Sequence, residues 1–438
     1  MTPLLEPSSN ISPAVADDYE MPDTALMSTG VQPSRWLRVS TFLVVLIPLA
    51  LTVTGFVFLA MSYYKGVTAD APAPTAKDML FYTTRQLMWL VVAVAVSLTV
   101  CFFPLKRMKQ FTWPAFVLVL GTLAAVLKFG IEVKGARRWF RLVVPYLGEV
   151  NVQPSDLGKI IVVLVLALYF SKARRYFGPA SFGWFSKRWY WPLIFSADAW
   201  RDFARGFVLP CLLFGTVSGL IYLENDLGTT VLIGLVGALM LFMSGARLAY
   251  VATLGVSCLG AFAAVLCFRP EKMIRVLTFM DPAGTRFEEG HQLWQSLVAF
   301  ACGGEWGVGL GKGIQHQSIL PESRTDCILA IIGEQKGLLA TGLVTFSFLL
   351  FFVIVATNLH RARTLYQFNI CFGALMFIVC QALINMCVVT DILPTKGMSL
   401  PFLSYGGTNL VAMYVMVGLI LNCFCHWAKP ERGGGGEP

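Results

Sequence analysis

Ten stretches of mostly apolar residues recur along this chain, and nothing constrains its fold more. They cover 41–62, 87–103, 111–129, 157–170, 206–223, 227–243, 248–268, 338–356, 368–389 and 410–424. A bilayer's hydrocarbon layer, about 30 Å thick, is crossed by about 20 residues of helix. Inside it, only helices and closed barrels satisfy their own backbone polar groups. The expected fold is therefore an all-α integral membrane protein with about ten transmembrane helices. Only 13% of residues are charged, against 56% hydrophobic. A soluble domain carries roughly 25% charged residues. The net charge of +9 would otherwise raise nucleic acid as a partner. The cations sit in short loops between apolar runs, so membrane topology accounts for them and no nucleic acid is expected. Eleven cysteines, many inside apolar runs, show neither a disulfide framework nor metal-ligand spacing. They read as small buried apolar residues.

Residues 1–34 are polar and rich in Pro, Ser and Thr, and are expected to form a disordered cytoplasmic tail. This stretch is too acidic and too long for a cleaved signal peptide. The membrane domain spans 35–428, and 429–438 form a second cytoplasmic tail. With the N-terminus inside, the cytoplasmic loops collect Lys106, Arg107 and Lys109, then Lys172, Arg174, Arg175, Lys187, Arg188, Arg201 and Arg205 in the large loop 171–205, then Arg247, Arg361 and Arg363. That is the positive-inside pattern, and an even number of spans puts both termini inside. Two outer segments remain, 130–154 and the long Gly-rich loop 269–325. Non-helical backbone at a membrane face usually lines a site.

Candidate chemistry clusters in these outer segments. Arg137, Arg138 and Trp139 lie in a run with Lys134 and Arg141 on the side that should be poor in cations. Arg grips phosphate oxygens bidentately, and Trp offers a face for a sugar or lipid. Snorkelling to lipid headgroups is the alternative. Asp156 and Lys159 fall on one face of the fourth span. They read equally as ligand-facing or as a local ion pair, with Ser155 a possible N-cap. Asp226 opens the sixth span and reads equally as its cap. The glycines at 303, 304, 307, 309, 311 and 313 cannot build one stable helix and suit a backbone wrapped closely around something. Gln295 lies just upstream. Glu322 and Asp326 are four apart, and Asp326 leads straight into an apolar run, where a partly desolvated carboxylate suits a general base. Gly333-Glu334-Gln335-Lys336-Gly337 interrupts the eighth span. A strap with Pro394, Lys396, Gly397, Pro401, Ser404, Gly406 and Gly407 leads into the tenth.

Taken together, these blocks resemble the SEDS family (shape, elongation, division and sporulation). Gly-Ala-Arg-Arg-Trp, Gln-Pro-Ser-acid-x-x-Lys, Asp-Leu-Gly-Thr, Gly-Leu-Gly-x-Gly, Leu-Pro-Glu-x-x-Thr-Asp, Ile-Gly-Glu and Pro-Phe-x-Ser-Tyr-Gly-Gly follow one another in the family's order. Leu-Pro-Thr-Lys-Gly at 393–397 is similar to the division-type branch. Departures are Asp156 for Glu, Glu224-Asn225 for Gln-Pro, Cys327 for Phe and Thr408-Asn409 for a Ser pair. The resemblance implies a peptidoglycan glycosyltransferase acting on lipid II at the outer face of a bacterial inner membrane, at the division septum. Asp326 would be catalytic. Arg137, Arg138, Trp139, Asp156, Lys159, Asp226, Gln295, Glu322, Lys396 and Ser404 would bind substrate. A class B penicillin-binding transpeptidase and bitopic septal division proteins would be partners, alongside membrane lipids. A divalent cation, Mg or Mn, could assist, although no ligand set stands out. A lipid II flippase and a non-catalytic division scaffold remain alternatives at this point.

Overall fold

The computed structural model describes residues 35–64, 76–133, 136–144, 148–173, 200, 203–246, 248–268, 270–287, 290–314, 325–394 and 397–429. The expected tails, most of the loop 171–205, and the candidates Glu322 and Lys396 lie outside them.

Each of the ten apolar runs lies on a helix. In chain order these are α1 (Arg35–Tyr64), α2 (Ala76–Phe102), α3 (Leu105–Phe129), α4 (Pro154–Lys172), α5 (Leu209–Leu223), α6 (Leu227–Met243) and α7 (Leu248–Phe268). Two short helices follow, α8 (Pro270–Met280) and α9 (His291–Gly303). The last three are α10 (Ile328–Ala356), α11 (Leu365–Val389) and α12 (Gly407–Ala428). Among the described residues, eight helices are long and apolar enough to cross a membrane: α1 to α4, α5 with its leading turn, and α10 to α12. α6 is apolar but only 17 residues long. α7 has 21.

Burial sorts these helices into two classes. The spans of α4, α11 and α12 are 72%, 83% and 83% buried, against 39%, 22% and 28% for α1, α2 and α3. Side chains such as Val162, Val163, Phe377 and Phe424 on the inner three are sealed from any solvent. On the outer helices, Phe42, Val91, Phe102 and Leu118 are exposed apolar residues. An apolar surface of that size suits lipid rather than water.

The segment 131–152 departs from the all-helical expectation. It forms a three-stranded antiparallel sheet, β1 (Ile131–Val133), β2 (Ala136–Val144) and β3 (Gly148–Val152), in the order β1-β2-β3. The register sets Glu132 opposite Arg137 and Phe140 opposite Val152. Opposite charges facing each other across a ladder support the pairing.

α10 is broken. Gly337 takes φ 73°, ψ −168° inside it, a conformation open to glycine and costly to other residues. The half before the break, Ile328 to Gln335, is entirely buried, whereas Leu338, Leu339 and Leu343 beyond it are exposed.

Candidate active site at one end of the bundle

Pro154 opens α4, with Gln153 in the cap position and no side-chain cap on the helix. The proposed Ser155 cap is absent; its hydroxyl instead accepts from Gln153 Nε2 at 2.8 Å. One turn in, Lys159 Nζ meets Asp156 Oδ1 at 2.8 Å. The same ammonium reaches Gln381 Oε1 of α11 at 3.0 Å and Asn409 Oδ1 of α12 at 3.2 Å. An ammonium has three N–H donors, and these three acceptors use them. Both partners of the ion pair are almost fully buried. A charge buried this deeply persists only when paired and hydrogen-bonded, so this network fixes three inner helices to one another.

The network runs on into the strap. Gln381 Nε2 donates to the Ser399 carbonyl at 2.9 Å. Asn385, one turn along α11, donates to the carbonyls of Met398 at 2.6 Å and Asp326 at 2.8 Å. Ser404 Oγ bonds the Thr325 carbonyl and accepts from Leu400 N at 2.8 Å. The strap and the residues just before α10 are thereby tied by their backbones. Phe402 anchors the strap from below. It holds φ 67°, which costs a bulky residue on the order of 1–3 kcal/mol. Ring packing against Phe348 and Tyr414 holds it there.

Asp326 sits half-buried on this platform. Gly397 lies directly beside it: a Cβ built there would stand 2.8 Å from Asp326 Oδ2. The Gly397 carbonyl in turn borders Gly228, in the first turn of α6. Asp226 caps that turn, accepting from Thr229 N at 3.2 Å and Thr229 Oγ1 at 2.9 Å. Gln153 Nε2 reaches Asp226 Oδ2 at 3.3 Å. Contacts thus lead from Asp326 through Gly397, Gly228 and Asp226 to the start of α4.

Arg137 and Arg138, two of the three arginines on β2, reach different partners. Arg138 directs Nε at the Glu224 carbonyl (3.3 Å) and Nη2 at the Asn225 carbonyl (2.5 Å). Arg137 pairs with Glu132 at 3.3 Å, both largely exposed. Trp139 is half-buried and stands opposite Ile131 in the sheet. Gln295 lies on α9, 3.5 Å from His291. The neighbouring Gln292 and Ser296 bond Cys327 Sγ instead, at 3.2 and 3.5 Å.

The glycine-rich segment wraps the protein's own helix. Val308 N and Gly309 N donate to the carbonyls of Glu334 and Gln335 at 2.9 and 3.1 Å. Ile314 N donates to Glu334 Oε1 at 2.6 Å. A Cβ at Gly303 or Gly307 would strike the α10 backbone at 2.0 or 2.3 Å. The polar break in the eighth span is therefore the partner of the 303–313 glycines.

Reading by residue type missed Gln381, Asn385 and Asn409. A signal existed for the first two. They are amides one helical turn apart in an otherwise apolar run, and polar groups there are costly unless paired. Among the described residues, no group of three or more His, Cys, Asp or Glu side chains could hold a metal ion.

Fold and site together define a many-helix membrane protein whose inner helices carry a polar platform for one carboxylate at the bundle's end. The sequence matches the FtsW/RodA/SpoVE family, described as cell cycle proteins, over residues 41–428, and the chain belongs to that family. It is an integral inner-membrane protein. It is similar to the probable peptidoglycan glycosyltransferase FtsW of Tolumonas auensis, 32% identical over 348 residues, covering 78% of this chain and 83% of that one. The protein of the same name from Hahella chejuensis is 34% identical over 348 residues, covering 78% and 80%. Among solved structures, a chain of a peptidoglycan synthase complex that coordinates polymerization and crosslinking superposes with TM-score 0.65 at 23% identity, covering 88% of this chain and 97% of that one. The rod shape determining protein RodA of Thermus thermophilus superposes with TM-score 0.59 at 21% identity, covering 87% and 95%.

Proposed function

We propose that this chain is a division-type peptidoglycan glycosyltransferase that polymerises lipid II at the outer face of the inner membrane, with Asp326 as general base. The carrying observation is the seating of that carboxylate. Its own carbonyl is held by Asn385, the preceding carbonyl by Ser404, and Gly397 leaves the space beside it clear. In the reaction, the 4-hydroxyl of the acceptor's terminal GlcNAc attacks the anomeric carbon of a MurNAc diphosphoryl lipid. The O–C bond forms as the C–O bond to diphosphate breaks. The hydroxyl proton passes to Asp326, and the configuration inverts. A base within about 3 Å of the hydroxyl is what such a step needs.

Developing charge on the diphosphate calls for fixed cations. Arg137 and Arg138 are candidates, with Trp139 next to them in β2 as a platform, and Lys396 is a further candidate from the sequence. Lys159 acts from beneath, holding Asp156, Gln381 and Asn409 so that the strap keeps its shape. Asp226 and Ser404 fix the floor. Glu322 and Gln295 would meet the acceptor strand. No residue set is assigned to Mg or Mn. Both termini are cytoplasmic in this reading, the protein works at the septum, and its spans number ten. The likeness to a synthase complex chain supports a class B penicillin-binding transpeptidase as partner, with bitopic septal proteins beside it.

The test is reconstitution of the full chain in vesicles with labelled lipid II, with and without the transpeptidase. Wild type should make glycan polymer. Asp326→Asn should lose it by about 10²–10⁴-fold while eluting and melting as wild type does. Normal turnover by the variant would reject the base. Lipid movement across the bilayer without polymer would make the chain a flippase instead.

A further inference from the structure

The corner between α5 and α6 holds a carboxyl group that the reaction does not use. Glu224 is 1% exposed, and neither carboxylate oxygen meets a hydrogen-bond donor among the described residues. Its neighbours can be named element by element. Asp226, two residues on, is a like charge and already caps α6. Arg138, from β2, spends Nε and Nη2 on the backbone carbonyls of Glu224 and Asn225 rather than on the side chain. From the start of α4 comes Gln153, which is neutral and donates to Asp226. Behind it, Asp156 and Lys159 neutralise each other. From α5 the titratable neighbour is Tyr222, partly exposed. Asn225, at the apex, sits in the left-handed region at φ 63°, so the corner's shape depends on its surroundings.

A buried carboxylate without donors is not sustained in the charged form. We propose that Glu224 is a neutral, proton-bearing positioning residue: uncharged, it leaves Arg138 seated on the corner's carbonyls and Asp226 seated on the first turn of α6, and its ionisation unseats both. With the carboxyl neutral, Arg138 and Asp226 balance each other. Once it is ionised, two negative charges share a buried corner, and Arg138 is the cation drawn toward the new one. That would lift β2, with Trp139, from the corner. Burial and the Asp226 charge push Glu224 up to about 8, with Arg138 opposing. The corner is therefore seated at neutral pH and released at alkaline pH.

The activity arm of the test rests on the glycosyltransferase reading; two other arms do not. All three compare full-length wild type with Glu224→Gln, which mimics the protonated acid. The first arm is thermal unfolding in detergent. A raised carboxyl pKa gives stability that is complete below about pH 4.5 and is lost as pH climbs to about 8. Wild type should therefore fall in Tm relative to Glu224→Gln across that window and then level off. A constant difference overturns the proposal. The second arm is amide exchange, corrected for intrinsic rate, over 136–144 and 226–230. Wild type should lose protection above pH 8 and the variant should keep it; matching profiles overturn the proposal. The third is polymerisation. At pH 9 about one-tenth of a group titrating near 8 stays neutral, so the apparent KM for lipid II should rise about tenfold from pH 7. Glu224→Gln should hold one KM throughout. Parallel KM profiles overturn the positioning role. Absence of polymer from wild type at every pH would sink the enzymatic reading instead, leaving the first two arms to decide this one.

Discussion

Two glycine-rich segments, 303–313 and 397–407, look alike in sequence and do opposite things in the fold. The first is docked on the chain's own α10. Its amides donate to Glu334 and Gln335, and at Gly303 and Gly307 backbone meets backbone. The second turns its glycine at 397 toward a side chain, the carboxylate of Asp326. Glycine in both cases permits close approach. What approaches decides whether the position serves the fold or the chemistry. A Cβ against backbone cannot be accommodated without moving an element, whereas a Cβ against the end of a side chain displaces only that side chain.

Substitutions can break or sharpen this contrast. The largest effect is expected from Gly307→Ala. Its Cβ would stand 2.3 Å from the Gln335 carbonyl, at φ +81°. Overpacking and the left-handed backbone together should cost on the order of 3–4 kcal/mol. Yield and Tm should fall, and activity only in step with the folded fraction. Next is Gly397→Ala. It should leave Tm nearly unchanged but slow polymerisation about 100-fold, the usual penalty for misplacing a reacting group by about 1 Å. If both variants lose Tm and rate in the same proportion, the two segments do the same job and the contrast fails. Asn385→Ala removes the donor from two carbonyls, those of Asp326 and Met398. It should cost about 1–3 kcal/mol of stability and lower the rate beyond that loss, read by comparing turnover at equal folded fraction. Glu334→Gln keeps the acceptor for Ile314 N and is the smallest, under about 1 kcal/mol in Tm-derived stability, with turnover unaltered.

Much of the architecture was legible before any coordinates. The ten apolar runs fall on ten helices, because twenty apolar residues leave the backbone no better solution in lipid. The cap at Asp226 and the pair of Asp156 with Lys159 were each one of two open readings, and these local contacts, within one helix turn, are present. The sheet at 131–152 escaped notice. Two of its strands have only three and five residues, and its pairing of Glu132 with Arg137 is a tertiary choice that alternation alone does not announce. Arg138 was read as a phosphate ligand, and its contacts with two backbone carbonyls depend on a corner 86 residues away in sequence. The destination of the 303–313 glycines was illegible for the same reason. A glycine reports that something comes near, and the something here lies on another element.

The break at Gly337 divides one helix between two environments. Everything before it, Ile328 to Gln335, is packed in protein. Beyond it, Leu338, Leu339, Leu343 and Phe346 look outward, at 67%, 57%, 66% and 56% exposure. A membrane that thins, thickens or bends meets the outward half, while the break itself is bonded on both sides to the glycine-rich segment, Val308 N to the Glu334 carbonyl before it and Leu338 N to the Gly304 carbonyl after it. The carboxylate at the head of the inward half therefore stands on the part of the helix that faces protein and not lipid.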